Sequence, residues 1–221
     1  MTTSNPTALL AFDGSQIDGT WYTSVTNFAR DTPWLNGTLN TYSSYGIAVF
    51  AVLIVVAWWI ARRAGPATMT SALAVPVAAV VAYVVNAVVK VVVAEPRPCF
   101  AYPTNFLLEP CPAPSDYAFP SNHSVVVGAM AVALILVSRR LAVVAAVAAA
   151  VMGFSRVYVG AHYPHDVLAG LLVGVIIGYV TAVTLRRYAT PLVKALSTGP
   201  LKPLLTATVD SGRPGRTAGD S

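Results

Sequence analysis

The sequence predicts an all-α fold: a polytopic membrane bundle of about five transmembrane helices, preceded by an N-terminal interfacial helix. Three observations predict it. Only 10% of the residues are charged and 56% are apolar, whereas about a quarter of an ordinary soluble domain is charged. The missing charge is replaced by Val, Ala, Leu and Ile, in blocks close to the roughly 20 residues that span a bilayer. Arginine pairs punctuate these blocks at Arg62-Arg63, Arg139-Arg140 and Arg186-Arg187. Buried parallel strands are also valine-rich, but these runs are too long for strands and lack internal turn residues.

In chain order, residues 1–43 are mixed and polar, and form an N-terminal extracytoplasmic segment. Ile17, Trp21, Val25 and Phe28 recur at helical spacing, as in an amphipathic helix lying on a membrane or an ordinary packed terminal helix. Met1 to Gln16 lacks a basic stretch followed by an apolar core, so no cleavable signal peptide is expected. Residues 44–187 form the transmembrane domain. Its first span, 44–61, ends in Trp58-Trp59 and then Arg62-Arg63, the edge expected on the cytoplasmic side. Gly65-Pro66 makes the turn. The second span, 70–93, contains Pro76, and Lys90 lies near its far end among valines. A lysine there must snorkel or meet an anion.

Residues 94–119 form a long polar loop with six prolines and both cysteines, and loops of that length are often functional. The remaining spans are 121–137, 141–158 and 164–185. Pro164 suits the first turn of the last one, where a missing N–H costs nothing. Residues 188–221 form a cytoplasmic tail, and its last twenty or so residues read as disordered from their Gly, Pro, Ser and Thr content.

Five spans put the two ends on opposite sides. The three arginine pairs and the basic tail share one side, so the positive-inside rule places the N-terminus outside and the C-terminus in the cytoplasm. The net charge of +5 therefore reflects topology. No basic stripe with interleaved aromatics points to nucleic acid.

Three charged clusters fall on the outer side: Lys90 to Arg97-Pro98; Pro120-Ser121-Asn122-His123; and Ser155-Arg156 to His162 and Asp166. Charges beside hydrocarbon need partners and mark function. Together the clusters supply three cations, two histidines, a serine hydroxyl and two helix N-termini, an inventory suited to one multiply charged oxyanion such as phosphate. No carboxylate cage for magnesium and no Cys/His spacing for zinc is evident, so no metal or other cofactor is expected. A histidine held by a carboxylate is a candidate nucleophile.

In this order and spacing the three segments resemble the signature of the type 2 phosphatidic acid phosphatase superfamily, over about residues 80–180. The resemblance implies a six-helix core and metal-free hydrolysis through a phosphohistidine. By position it makes His162 the nucleophile, Asp166 its orienting carboxylate and His123 the general acid. Lys90, Arg97, Ser121, the Asn122 backbone and Arg156 would bind the phosphoryl oxygens. Asn122 departs from the commonest form of the motif, which has glycine; it is tolerable if that position contributes mainly its N–H. His165 lies outside the pattern and reads as an interfacial neighbour.

Within the superfamily the compact bundle and outward site look most like bacterial undecaprenyl diphosphate phosphatases. That implies a bacterial plasma membrane, a lipid phosphate substrate in the outer leaflet and a role in recycling the cell-wall carrier lipid. Phosphatidate or phosphatidylglycerophosphate is the alternative substrate. A vanadate-dependent haloperoxidase shares the anion site but not the spans. A non-catalytic membrane protein should lack one of the key groups, and none is missing.

Two further readings remain. Gly170, Gly174 and Gly178 form a ridge at i+4 steps, which either packs the last helix into the bundle or makes a homodimer interface. Cys99 and Cys111, both in the outer loop, are candidates for a disulfide on an oxidising side of the membrane.

Overall fold

A computed structural model describes residues 13–207. Most of the segment read for a signal peptide, and most of the tail read as disordered, lie outside the described residues. Among the described residues every regular element is helical. In order these are α1 (Ser15–Asp31), α2 (Pro33–Tyr45), α3 (Ile47–Ala61), α4 (Pro66–Val93), a single turn α5 (Pro98–Ala101), α6 (Asn122–Ala133) running into a 3-10 turn (Leu134–Leu136), α7 (Arg139–Tyr158), α8 (Pro164–Leu196) and α9 (Lys202–Leu205).

Three helical stretches are long and apolar enough to cross a membrane: Pro66–Ala101, which takes in α4 and α5, then α7 and α8. The pair α2 and α3, bent by 55° at their junction, makes a fourth if counted as one span. The segment α6 with its 3-10 turn is apolar but shorter than a span. The chain is a multi-pass membrane protein, although two of the five expected spans are broken or short. The last span also runs past the predicted stop at 185: α8 continues through Arg186-Arg187 and Pro191 to Leu196, so the expected tail begins as helix. The arginine pair does not stop the helix, because its side chains can reach sideways, and Pro191 removes one ladder hydrogen bond without ending it. Arg186 donates to the Leu136 carbonyl at 3.0 Å.

The closest packing is among α4, α6 and α8, with α7 flanking them and α3 set against α4. The glycine ridge explains the first contact. A Cβ on Gly178 would lie 2.6 Å from the Ala129 Cα and carbonyl oxygen, and one on Gly174 would strike the Val125 carbonyl oxygen. The ridge is thus consumed within one chain, where backbone meets backbone. The other side of α8 presents Leu168, Leu172 and Ile176 outward, and α4 presents Val80, Val84 and Val88. Stripes of exposed aliphatics at helical spacing are what lipid-facing helices require.

The apolar residues read from the N-terminal segment divide in the same way. Ile17, Trp21 and Phe28 on α1 are exposed, while Tyr22, Thr26 and Ala29 are buried against the bundle. An apolar outer face over a packed inner face fits a helix lying on the bilayer. At the opposite end, Arg62 donates to the Pro203 carbonyl and Trp58 to that of Leu204, tying α3 to α9.

Candidate active site

The ends of α4 and α7 and the starts of α6 and α8 meet at one pole of the bundle, and every residue singled out in the three clusters is there. Gly160, at φ 86°, turns the chain after α7 in a conformation that side chains disfavour. The turn lets the amides of Ala161 and His162 donate back to the Arg156 carbonyl at 3.1 and 3.3 Å. Pro164 then starts α8, and Asp166 Oδ2 caps it by accepting the Tyr163 N–H at 2.8 Å.

His162 is buried between two partners of opposite demand. Its Nδ1 lies 3.3 Å from Asp166 Oδ2. Its Nε2 lies 3.2 Å from Arg97 Nη1. A guanidinium can only donate, so Nε2 carries the lone pair and Nδ1 carries the proton toward the carboxylate. Burial, and then the charges of Arg97, Arg156 and Lys90, hold the imidazole well below its ordinary range, so it stays neutral.

The cations surround that lone pair. Arg97 is anchored by donating from Nη1 to the Ala161 carbonyl at 3.0 Å and from Nε to the Asp116 carbonyl at 3.0 Å. Arg156 is at least as buried as Arg97. A cavity of about 110 Å³ opens between Arg97 and Arg156, roofed by the segment that carries Cys99 and Cys111. These two cysteines are bonded, with Cα atoms 5.9 Å apart. Among the fully buried polar atoms at this pole that have no partner are Ser121 Oγ and Arg156 Nε. Orphaned donors cost stability unless a ligand satisfies them, and both belong to expected phosphate ligands. Ser121 is also the N-cap of α6 and makes no side-chain capping bond, which leaves the first amides of α6 for an anion.

Asn122 turns its side chain away from this centre, accepting from Asn86 Nδ2 at 2.7 Å. The same Asn86 amide donates to the Pro120 carbonyl at 3.1 Å. A polar partner on α4 therefore accommodates asparagine where glycine is commoner. His123 lies in electrostatic reach of Arg156, Arg97, Lys90 and His162. It also lines a separate apolar groove of about 130 Å³ with Ile47, Tyr83 and Val126, and so stands between the polar cavity and the lipid-facing side.

Several participants escaped the sequence reading. Asp116 pairs with Arg97 Nη2 at 2.9 Å and with Lys90 Nζ at 3.4 Å. Burial works against its ionisation, but the hydrogen bond and charge of Arg97, and then Lys90, prevail and hold the carboxyl below the usual range. Glu109 takes Arg156 in a two-point pair at 2.7 and 3.0 Å, supported by Ser43. The loop between α4 and α6 thus sets two carboxylates on the three cations. The loop acids were visible in the sequence, but their pairing needed the turn at the disulfide.

A second cluster lies behind Asp166. Glu95, His165 and Asp166 offer atoms within 4.8 Å of one another that could ligate a metal, a carboxylate grouping the sequence reading did not anticipate. The ring nitrogens of His165 each face a carboxylate, Nδ1 toward Asp18 at 2.8 Å and Nε2 toward Glu95 at 3.1 Å. In that arrangement both carry protons and neither has a lone pair for a metal.

Comparison with known proteins follows the same segments. The PAP2 superfamily profile matches residues 71–189, more than half of the chain. An undecaprenyl-diphosphatase of Sulfolobus acidocaldarius is 35% identical over 170 residues, covering 76% of this chain and 74% of that protein. Undecaprenyl-diphosphatase BcrC of Bacillus subtilis is 29% identical over 138 residues, 62% of this chain and 68% of its own length. A lipid A 1-phosphatase of Rhizobium johnstonii is 44% identical over 70 residues, 32% of this chain and 29% of that protein. No solved structure matches the chain.

Proposed function

This chain belongs to the PAP2 superfamily and is a membrane lipid phosphatase; on that premise we propose that it cleaves the terminal phosphate of undecaprenyl diphosphate, giving undecaprenyl phosphate and inorganic phosphate at the outer leaflet. The observation that carries the chemistry is His162, with its Nε2 lone pair turned to Arg97 and its Nδ1 proton to Asp166. The substrate assignment draws on the relatives named for it.

In this reading the terminal phosphoryl group lies among Lys90, Arg97, Arg156, Ser121 and the first amides of α6, displacing Asp116 and Glu109. The Nε2 lone pair attacks phosphorus, an N–P bond forms, and the P–O bond to the lipid phosphate breaks. His123 gives the departing oxygen a proton. Water then attacks phosphorus, its proton passes to His123, and the N–P electron pair returns to Nε2 as phosphate leaves. Asp166 stabilises the imidazolium that forms between the two steps, and the cations stabilise the equatorial oxygens. The lipid chain leaves past His123 through the groove of Ile47, Tyr83 and Val126.

The positive-inside rule supports an N-terminus outside, the site outside and the C-terminus in the cytoplasm, because the arginine pairs gather at the pole opposite the site. The test is phosphate release from undecaprenyl diphosphate, phosphatidate and phosphatidylglycerophosphate by purified wild type and His162→Ala. Fastest turnover of the diphosphate, with a phosphohistidine trapped in wild type and lost in the variant, supports the proposal. Preference for either glycerolipid rejects the substrate, and an active His162→Ala rejects the nucleophile.

A further inference from the structure

The cluster behind Asp166 has no part in the scheme above, yet it touches the nucleophilic pair. Asp166 is fully buried and its Oδ2 is committed to His162 and the Tyr163 amide. Its other oxygen, Oδ1, makes no hydrogen bond and lies 3.5 Å from His165 Nε2. Glu95, also fully buried, shares that His165 nitrogen at 3.1 Å. Two buried carboxylates side by side cannot both stay ionised without a cation between them. The imidazolium of His165 is that cation.

His165 is itself fixed from the far side by α1. Asp18 accepts the His165 backbone N–H at 2.7 Å and its Nδ1–H at 2.8 Å. The ring stacks between Phe119 and Tyr163, with centroids 5.9 and 5.4 Å away. Gly14, just before α1, closes the cluster so tightly that a Cβ there would meet Glu95 Oε1.

We propose that Glu95, His165 and Asp18 are positioning residues for catalysis, with His165 as the buried cation that keeps Asp166 ionised and aimed at His162. Asp166 then meets His162 on one side and His165 with Glu95 on the other, and Arg97, Arg156 and Lys90 face the outer edge of His162. Without the His165 charge, the neighbouring Glu95 carboxylate favours a protonated Asp166, which can neither fix the tautomer nor stabilise the imidazolium. Through Asp18, the interfacial helix α1 becomes a structural member of the site.

This inference rests on His162 being the nucleophile, so the experiment first establishes that point. Full-length wild type in detergent is given farnesyl diphosphate labelled in its terminal phosphate and quenched. Loss of label in His162→Ala secures the premise. His165→Gln is then compared across pH, with thermal unfolding as the control for folding. Removing an opposite charge at this distance moves a carboxyl by about 1–3 pH units. The acid limb of kcat/KM should therefore rise by at least about one pH unit. We expect kcat to fall about 10–100-fold, as for other groups that orient a reactive residue, while KM changes less than about threefold. Glu95→Gln in the His165→Gln background removes the competing carboxylate and should move the limb back and recover part of kcat.

A fall in kcat with an unmoved acid limb would make His165 merely structural and overturn the proposal. A double variant no better than His165→Gln would do the same. Wild-type activity lost to a chelator and restored by zinc or manganese would replace the buried cation with a metal centre. Absence of label in wild type would instead remove the nucleophile reading.

Discussion

Asp116→Asn should make this protein bind oxyanions more tightly. Asp116 holds two of the three cations proposed to bind the phosphoryl group, through contacts of 2.9 Å to Arg97 and 3.4 Å to Lys90. A phosphate must break both. The Asp116 side chain is about half exposed, at 49%, so solvent screens the pair and each contact contributes about 0.2–1 kcal/mol. The two together oppose phosphate by about 0.5–2 kcal/mol, or roughly 2- to 30-fold in affinity at 1.4 kcal/mol per tenfold. Asparagine is the informative replacement because Arg97 Nε also donates to the Asp116 backbone carbonyl at 3.0 Å, and that anchor survives. The assay is competitive inhibition of phosphate release by orthovanadate, measured for both proteins. Because Arg97 and Lys90 hold the Asp116 carboxyl below its ordinary range, it stays ionised from pH 5 to 8. The ratio of the two inhibition constants should therefore be constant over that window. An inhibition constant that is unchanged or weaker in Asp116→Asn would refute the idea that this carboxylate competes for the anion site.

Other expectations follow from the same geometry. His123→Ala should lower kcat about 100- to 10,000-fold, the range for a positioned general acid, and lower it less for p-nitrophenyl phosphate, whose leaving group needs no proton. In the proposed mechanism the neutral form of His162 is the reactive one, and burial with three nearby cations depresses its pKa. Activity should thus be lost as pH falls through a value well below 6.5, with phosphoenzyme formation at pH 6 still near its plateau; a midpoint at or above 6.5 contradicts the assigned environment. Gly174→Ala should destabilise by about 1–3 kcal/mol, read as a lowered Tm, because the new Cβ meets the Val125 backbone oxygen and no side chain can yield.

Much of this protein is legible before folding. Hydrophobic block length and arginine punctuation give the all-α membrane class, since a bilayer demands long apolar runs with satisfied backbones. The order Lys90, Arg97, Ser121, His123, Arg156, His162, Asp166 announces an anion site, because charges beside hydrocarbon persist only where something needs them. The structure brings all seven to one pole, as reading the spans in alternation requires. Local signals also fixed the start of α8 at Pro164. Its end was misplaced, because Arg186-Arg187 marks a change of surroundings and does not interrupt helix hydrogen bonding.

What the sequence by itself determined is therefore the all-α membrane class and the set of charged residues that the fold gathers at one pole. Partnership was decided only in three dimensions. Nothing in the spacing of Glu95, Asp18 and His165 says that a residue near the N-terminus caps a histidine 147 positions later. Nothing says that Asp116 and Glu109 sit on the cations while Asn86 accommodates Asn122. A lone acid or histidine carries no periodic signature, and its role depends on the charge that the fold places within a few ångströms. Inside a low-dielectric bundle that neighbour decides whether the group is charged, neutral or able to exist there at all.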